Sequence, residues 1–198
     1  MPIGSHRHPG CRWCSSAGYT LIELMAVAAI VAILGSITIG QVLSAVDQSR
    51  GHAAARYVGA RLGLARSQAV ARGAAVALRF DQDPRGFSFS VFQDGNGNGV
   101  RTVDIEAGID RLLEPASSLF ERFPGVDIGL TANAPAQDPI QLGRTNLLTF
   151  TPTGTATSGT IYIRDRQGSQ WAVRVLGATG RTRVLRYEPV TRAWLVAQ

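Results

Sequence analysis

The chain has 198 residues and carries 20 basic side chains, every one an arginine, against 14 acidic ones, for a formal charge of +6. Without a lysine there can be no Walker-type phosphate loop, no Schiff-base chemistry and no lysine general base. The 22 glycines and 45% apolar content suit one globular domain with an appendage, not a disordered chain.

Mean hydropathy is near zero, at +0.06, but that average conceals a long apolar run. Between Leu24 and Val46 there is no charged residue, and 17 of the 23 positions are apolar. As a helix this run would be ~35 Å long, enough to cross a ~30 Å hydrocarbon core. Arg7, Arg12, His6 and His8 precede it with no acid among them, so the positive-inside tendency keeps that end cytoplasmic and sends the rest of the chain outward. A cleaved secretory signal fits poorly, because the apolar run is too long and no clear small-x-small site closes it.

Glu23 is the anomaly at the lip of this run, where a carboxylate costs of order ~3 kcal/mol if it must sit at depth. Its neighbours Gly18-Tyr19-Thr20-Leu21-Ile22-Glu23-Leu24-Met25 resemble the processing site of type IV prepilins and type II secretion pseudopilins. The resemblance implies cleavage between Gly18 and Tyr19 by a prepilin peptidase and N-methylation of Tyr19, which stands where the family usually has Phe. It also implies that Glu23 serves assembly by pairing with the terminal amine of a neighbouring subunit, and a buried charge is tolerable mainly when paired. Residues 1–18 would then be a cytoplasmic leader. Cys11 and Cys14, with His6 and His8, have a zinc-like spacing, but all four fall in this discarded segment and no metal is expected from them.

Residues 19–46 are expected to form a transmembrane and filament-core helix, and residues 47–72 its amphipathic continuation. Val58, Leu62, Ala65 and Ala69 recur at helical spacing on one face, with Arg61, Arg66, Gln68 and Arg72 largely off it. Gly35, Gly40, Gly51, Gly59 and Gly63 should soften this helix, and Gly73 should stop it. Residues 73–198 then read as a β-rich exported head. Strands are expected over Ala74–Phe80, Phe87–Phe92, Val126–Leu130, Leu147–Thr151, Thr160–Arg164, Gln170–Leu176, Arg181–Tyr187 and Trp194–Val196. Phe87, Phe89 and Val91 alternate with Ser88 and Ser90, the pattern of a strand with one solvated face. Residues 131–144 read as a surface loop. The fold class is α+β: a long N-terminal helix packed on an antiparallel sheet head.

The helix end Leu64-Ala65-Arg66-Ser67-Gln68-Ala69-Val70-Ala71-Arg72-Gly73, the turn Phe150-Thr151-Pro152-Thr153-Gly154 and Thr179-Gly180-Arg181 resemble, in that order, the GspH/FimT group of minor pseudopilins and minor pilins. That resemblance implies an inner-membrane precursor whose partners are other pilin or pseudopilin subunits, the prepilin peptidase, the assembly platform and, before assembly, membrane lipid. It implies a structural subunit of a type II secretion pseudopilus; the alternative is a type IV minor pilin for pilus assembly or DNA uptake.

Two candidate sites lie in the head. Asp94-Gly95-Asn96-Gly97-Asn98-Gly99 matches the first half of a calcium loop, with Asp94, Asn96 and Asn98 as ligands, but Ile105 stands where a bidentate Glu belongs. Such Asp-Gly and Asn-Gly steps equally serve a tight structural turn. Arg164, Arg166, Arg181, Arg183 and Arg186 belong to a C-terminal stretch of seven arginines and two acids, able in principle to hold the phosphates of DNA. Strand parity sets Arg186 on the face opposite Arg181 and Arg183 unless the strand bulges. No enzyme activity and no cofactor are expected, since His52 is the one histidine beyond the leader and no nucleophile–base spacing emerges.

Overall fold

A computed structural model describes residues 19–84, 86–132, 134, 136–143 and 145–197, with only the backbone described for 36–44. The leader, Gly18 included, lies outside the described residues, as do Cys11, Cys14, His6 and His8. Contacts divide the chain into two units, residues 1–41 and 42–198.

In the first unit helix α1 (Leu21–Arg72) begins immediately after the expected processing site. Thr20 caps it, its hydroxyl accepting from the Glu23 backbone N–H at 3.3 Å while its carbonyl accepts from Glu23 and Leu24. Thr-x-x-Glu is the residue pattern of a capping box, and the acid in the first turn suits the positive end of the helix dipole. Among the described residues no helix is long and apolar enough to cross a membrane. The segment expected to span, within 19–46, includes residues 36–44, whose side chains lie outside the described set.

In the second unit the rest of α1 packs on two antiparallel sheets. The first has the order β3 (Arg111–Ser118), β2 (Gly86–Gln93), β1 (Val76–Asp83), β6 (Leu147–Phe150). The second runs β10 (Ala193–Val196), β9 (Arg181–Glu188), β8 (Gln170–Leu176), β7 (Gly159–Arg164), β4 (Asp127–Ile128), with β5 (Ile140–Gln141) also paired to β7. The predicted stripe of Val58, Leu62, Ala65 and Ala69 is fully buried, joined by Ala54 and Ala55. It meets Val76, Leu78 and Phe80 of β1, Phe150 of β6, and Ile161, Ile163, Trp171 and Val173 of the second sheet in one core. These strand residues alternate because successive side chains leave a strand on opposite faces. Gly73 ends the helix at φ +63°, a conformation that side chains rarely adopt.

Three expectations need correcting. Ser90 is buried, so β2 has no freely solvated face. The outer side of its sheet is covered by the connection between β2 and β3, where Val100 and, on helix α2 (Thr102–Glu106), Ile105 pack on Ala75, Ala77, Leu147 and Phe92. Strand β3 was not expected: Pro115 and the absence of alternation argue against a strand, and both are tolerated because β3 lies at a sheet edge with shifted register against β2. The loop expected over 131–144 contains the short β5, and helix α3 (Leu119–Arg122), capped by the Ser118 hydroxyl, follows β3.

Candidate assembly and binding sites

The calcium-like loop closes on its own backbone. Asp94 accepts from the N–H groups of Asn96 and Gly97 through Oδ1, at 3.1 and 2.8 Å, and from Gly99 through Oδ2 at 2.8 Å. Asp110, from the far end of the same connection, accepts from Gly95 through Oδ1 and from Arg101 through Oδ2. Both carboxylates are nearly buried, and all four oxygens are taken by amides. Gly97 and Gly99 have positive φ, and a Cβ on Gly95 would collide with the Ile109 carbonyl oxygen. Among the described residues, no three His, Cys, Asp or Glu side chains are grouped to hold a metal. The arrangement does mechanical work: it folds 94–110 back so that Val100 and Ile105 cover the sheet. Asp110 was missed as the partner of Asp94 because 15 residues separate it from Gly95, whose N–H it binds.

The five arginines of the proposed basic site fall into three places. Arg181 and Arg183 lie on the outer face of β9, where Arg183 is directly opposite Arg174 of β8 and Arg181 opposite Leu176. Arg174, Arg181 and Arg183 are all exposed. Arg174 had not been singled out, yet it is the one charged residue in the alternating strand Gln170–Leu176 and so could have been read from the sequence. Arg164 is opposite Gln170, four residues along β8 from Arg174 and thus about 13 Å away. It lies over Gly129, donates to the Leu130 carbonyl at 3.4 Å, and lines an open cavity of 580 Å³ with Arg166, Asp127 and Asp165. Burial pushes the Asp127 carboxyl above its ordinary value, against the opposing pull of the Ile128 N–H and the Arg164 charge. Arg186 is on the opposite face, as parity requires, with its guanidinium 5.6 Å from the Trp171 ring centre and bonded to the Gln48 side-chain carbonyl in the amide orientation that suits both partners.

The three sequence stretches behind the GspH/FimT resemblance meet at one arginine. Arg66, on the solvent side of α1, donates through Nε to the Gly154 carbonyl at 3.2 Å. A Cβ on Gly180 would stand 2.9 Å from the same Nε and would collide with the Gly154 carbonyl oxygen. Helix end, Thr-Pro-Thr-Gly turn and Thr-Gly-Arg turn are therefore held together, with room at Gly180 only for glycine.

Comparison with known proteins adds the following. Residues 54–180, more than half of the chain, match the family described as Type II transport protein GspH. Residues 13–39 match the prokaryotic N-terminal methylation motif. No curated protein matches the chain. Among solved structures the chain is similar to the minor pseudopilin EpsH from the type 2 secretion system of Vibrio cholerae, at 18% identity and a TM-score of 0.46, over 69% of this chain and 97% of that one. On the family match, the chain belongs to the GspH family of type II transport proteins, the GspH-type minor pseudopilins, and its methylation motif implies processing by a prepilin peptidase.

Proposed function

We propose that the chain is cut between Gly18 and Tyr19, methylated on Tyr19, and assembled into the secretion pseudopilus through α1, with Glu23 pairing with the terminal amine of a neighbouring subunit. Before assembly it would sit in the inner membrane with its head outside the cytoplasm, in reach of the assembly platform. The observation that carries this reading is a helix start that falls inside the methylation motif. The methylation motif spans 13–39, and the helix starts within it at Leu21, capped by Thr20. Cleavage at Gly18 would leave Tyr19 and Thr20 ahead of the helix, so the new amine and the Glu23 carboxylate emerge at the same helix end.

The test is processing followed by incorporation. Gly18→Leu should leave the precursor at full size on a blot when an active prepilin peptidase is present. Glu23→Ala should be cut normally yet fall out of the sheared pseudopilus fraction. An unchanged precursor for the unaltered chain, or full incorporation of the Glu23 variant, overturns the reading.

DNA binding is a second reading, favoured by Arg174 and Arg183 standing side by side across β8 and β9. Like charges placed opposite one another destabilise a sheet, so their pairing suits an anionic partner. A mobility shift with the full chain that weakens as salt rises, and is lost with Arg181→Ala and Arg183→Ala together, is the outcome this reading requires.

A further inference from the structure

Among the described residues five strands stand at the edges of the two sheets, β4 and the two-residue β5 sharing one side of β7, and all but β10 are short or guarded. β3 carries Pro115 and Glu114, β4 is two residues long with Asp127, and β6 is covered by the turn in which Phe150 bridges Ala156 and the Thr157 hydroxyl accepts from the Thr149 N–H. β10 reads Ala-Trp-Leu-Val, with no charge and no proline, and Leu195 and Val196 are exposed on it. A strand edge of this kind presents unpaired N–H and C=O groups to whatever chain arrives.

Beside β10 a groove runs along α1. One part, of 500 Å³, is lined by Gln48, His52, Trp171, Arg186, Leu195 and Val196. The adjoining part, of 670 Å³, shares His52 and Val196 and adds Arg56, Thr182 and Arg183. Arg56 and His52 from the helix and Arg186 from the inner face of β9 thus line the two parts, and no carboxylate does among the described residues. The Arg186 Nε is buried and has no partner, a state that is costly until an acceptor arrives. The His52 ring, which lines both parts, stacks on Trp171 at 5.1 Å between centroids.

We infer that this groove receives an extended, carboxylate-bearing segment of a neighbouring pseudopilin, which adds as a strand to β10 and sets its acidic side chains against Arg56 and Arg186. The main-chain ladder would supply binding and the arginines would select the sequence, the division of labour usual in strand addition. The inference rests on the assembly reading above for the identity of the neighbour, but not for the chemistry of the groove.

The experiment uses the full chain in detergent micelles and a dye-labelled peptide of about ten residues alternating Glu and Val, a length and period matched to a strand. Fluorescence anisotropy should show saturable binding that weakens roughly tenfold or more between about 50 and about 500 mM NaCl. Arg56→Glu, at an exposed helix position where folding is undisturbed, should weaken binding about tenfold or more, and Arg186→Gln should do the same. Arg174→Gln with Arg181→Gln, on the outer face, should change it less than about twofold, which separates the groove from general attraction by a basic protein. A Lys/Val peptide, and a Glu/Pro peptide that cannot form a ladder, should both fail to bind. Absence of Glu/Val binding, equal binding of either control, or equal loss in the outer-face variant overturns the inference. So does displacement of the peptide by a single-stranded oligonucleotide in a manner dependent on Arg56, which would give the groove to nucleic acid. Concentration-dependent dimers of the free chain abolished by Arg56→Glu would give it to a second copy instead. A failed peptide result leaves leader cleavage and Glu23-dependent incorporation standing, whereas their failure leaves the peptide result standing.

Discussion

Replacing Gly51 with alanine adds one methyl group to α1 where the helix passes close to Trp171 of the second sheet. Its Cβ would lie 2.6 Å from Trp171 Nε1, 3.2 Å from Trp171 Cδ1 and 3.3 Å from Asp165 Oδ2. Trp171 is 3% exposed and cannot swing away, since it is stacked on His52 and lies beneath the Arg186 guanidinium. Overpacking of this kind costs ~1–3 kcal/mol. Removing a helical glycine returns about 1 kcal/mol, so the net is a loss of up to ~2 kcal/mol. Gly63 supplies the matched control in the same helix, because it has nothing within 4 Å of the added Cβ. Gly63→Ala should therefore gain about 1 kcal/mol from helix propensity alone. At ~2–4 °C per kcal/mol for a chain of this size, Gly63→Ala raises the melting temperature by about 2–4 °C and Gly51→Ala lowers it by up to ~8 °C. Gly59, whose nearest contact is an ordinary 3.5 Å to Val184, should follow Gly63 in sign. Thermal unfolding of the three variants, followed by circular dichroism of the full chain in detergent, reads the result directly. A rise for Gly51→Ala equal to that of Gly63→Ala would refute the close approach of helix and sheet at Trp171.

Three further outcomes follow from the same geometry. Asp94→Ala orphans three backbone N–H groups and should cost ~2–4 kcal/mol, with Val100 and Ile105 losing their hold and amide exchange accelerating over 94–110. Arg66→Ala should cost about 1 kcal/mol and speed proteolysis or exchange selectively at the turns containing Gly154 and Gly180. For Asp127 the carboxyl pKa is raised in the folded state, mainly by burial. The folded chain therefore binds more protons than the unfolded one between the ordinary value of 3.8 and the raised value, and stability falls as pH rises through that window. Asp127→Asn keeps an acceptor for the Ile128 N–H and should flatten this part of the pH profile; an unchanged slope in denaturant titrations across it would contradict the assignment.

The long helix and most strands were legible because each depends on a local period. The stripe Val58, Leu62, Ala65 and Ala69 needs only helical geometry to be recognised, and all four side chains reach the core. Strand β3 was not legible, because Pro115 is excluded by local rules and admitted only by a position at the sheet edge, which is a fact of topology. The five helix glycines looked alike in sequence, since each lowers helix propensity equally. Gly35, Gly51, Gly59 and Gly63 differ in what faces them, and Trp171, 120 positions further on, is what marks Gly51 out.

Charge shows the same division between local and non-local information. Alternation alone sets Arg186 apart from Arg181 and Arg183, and the pairing of Trp171 with Arg186 bears this out. Alternation within β8 would also have given Arg174, but only the register shows that it stands across from Arg183. Counting charge in sequence blocks concentrates the excess of +5 in the last 35 residues. The fold then divides that excess between an outer face bearing Arg174, Arg181 and Arg183, a cavity where Arg164 and Arg166 meet Asp127 and Asp165, and a groove where Arg186 meets Arg56 from the helix. In the cavity the arginines already have carboxylates beside them. In the groove they have none among the described residues, and the adjoining strand edge is unguarded. An acidic segment therefore gains more in the groove than in the cavity, and a partner selected by charge would be drawn there.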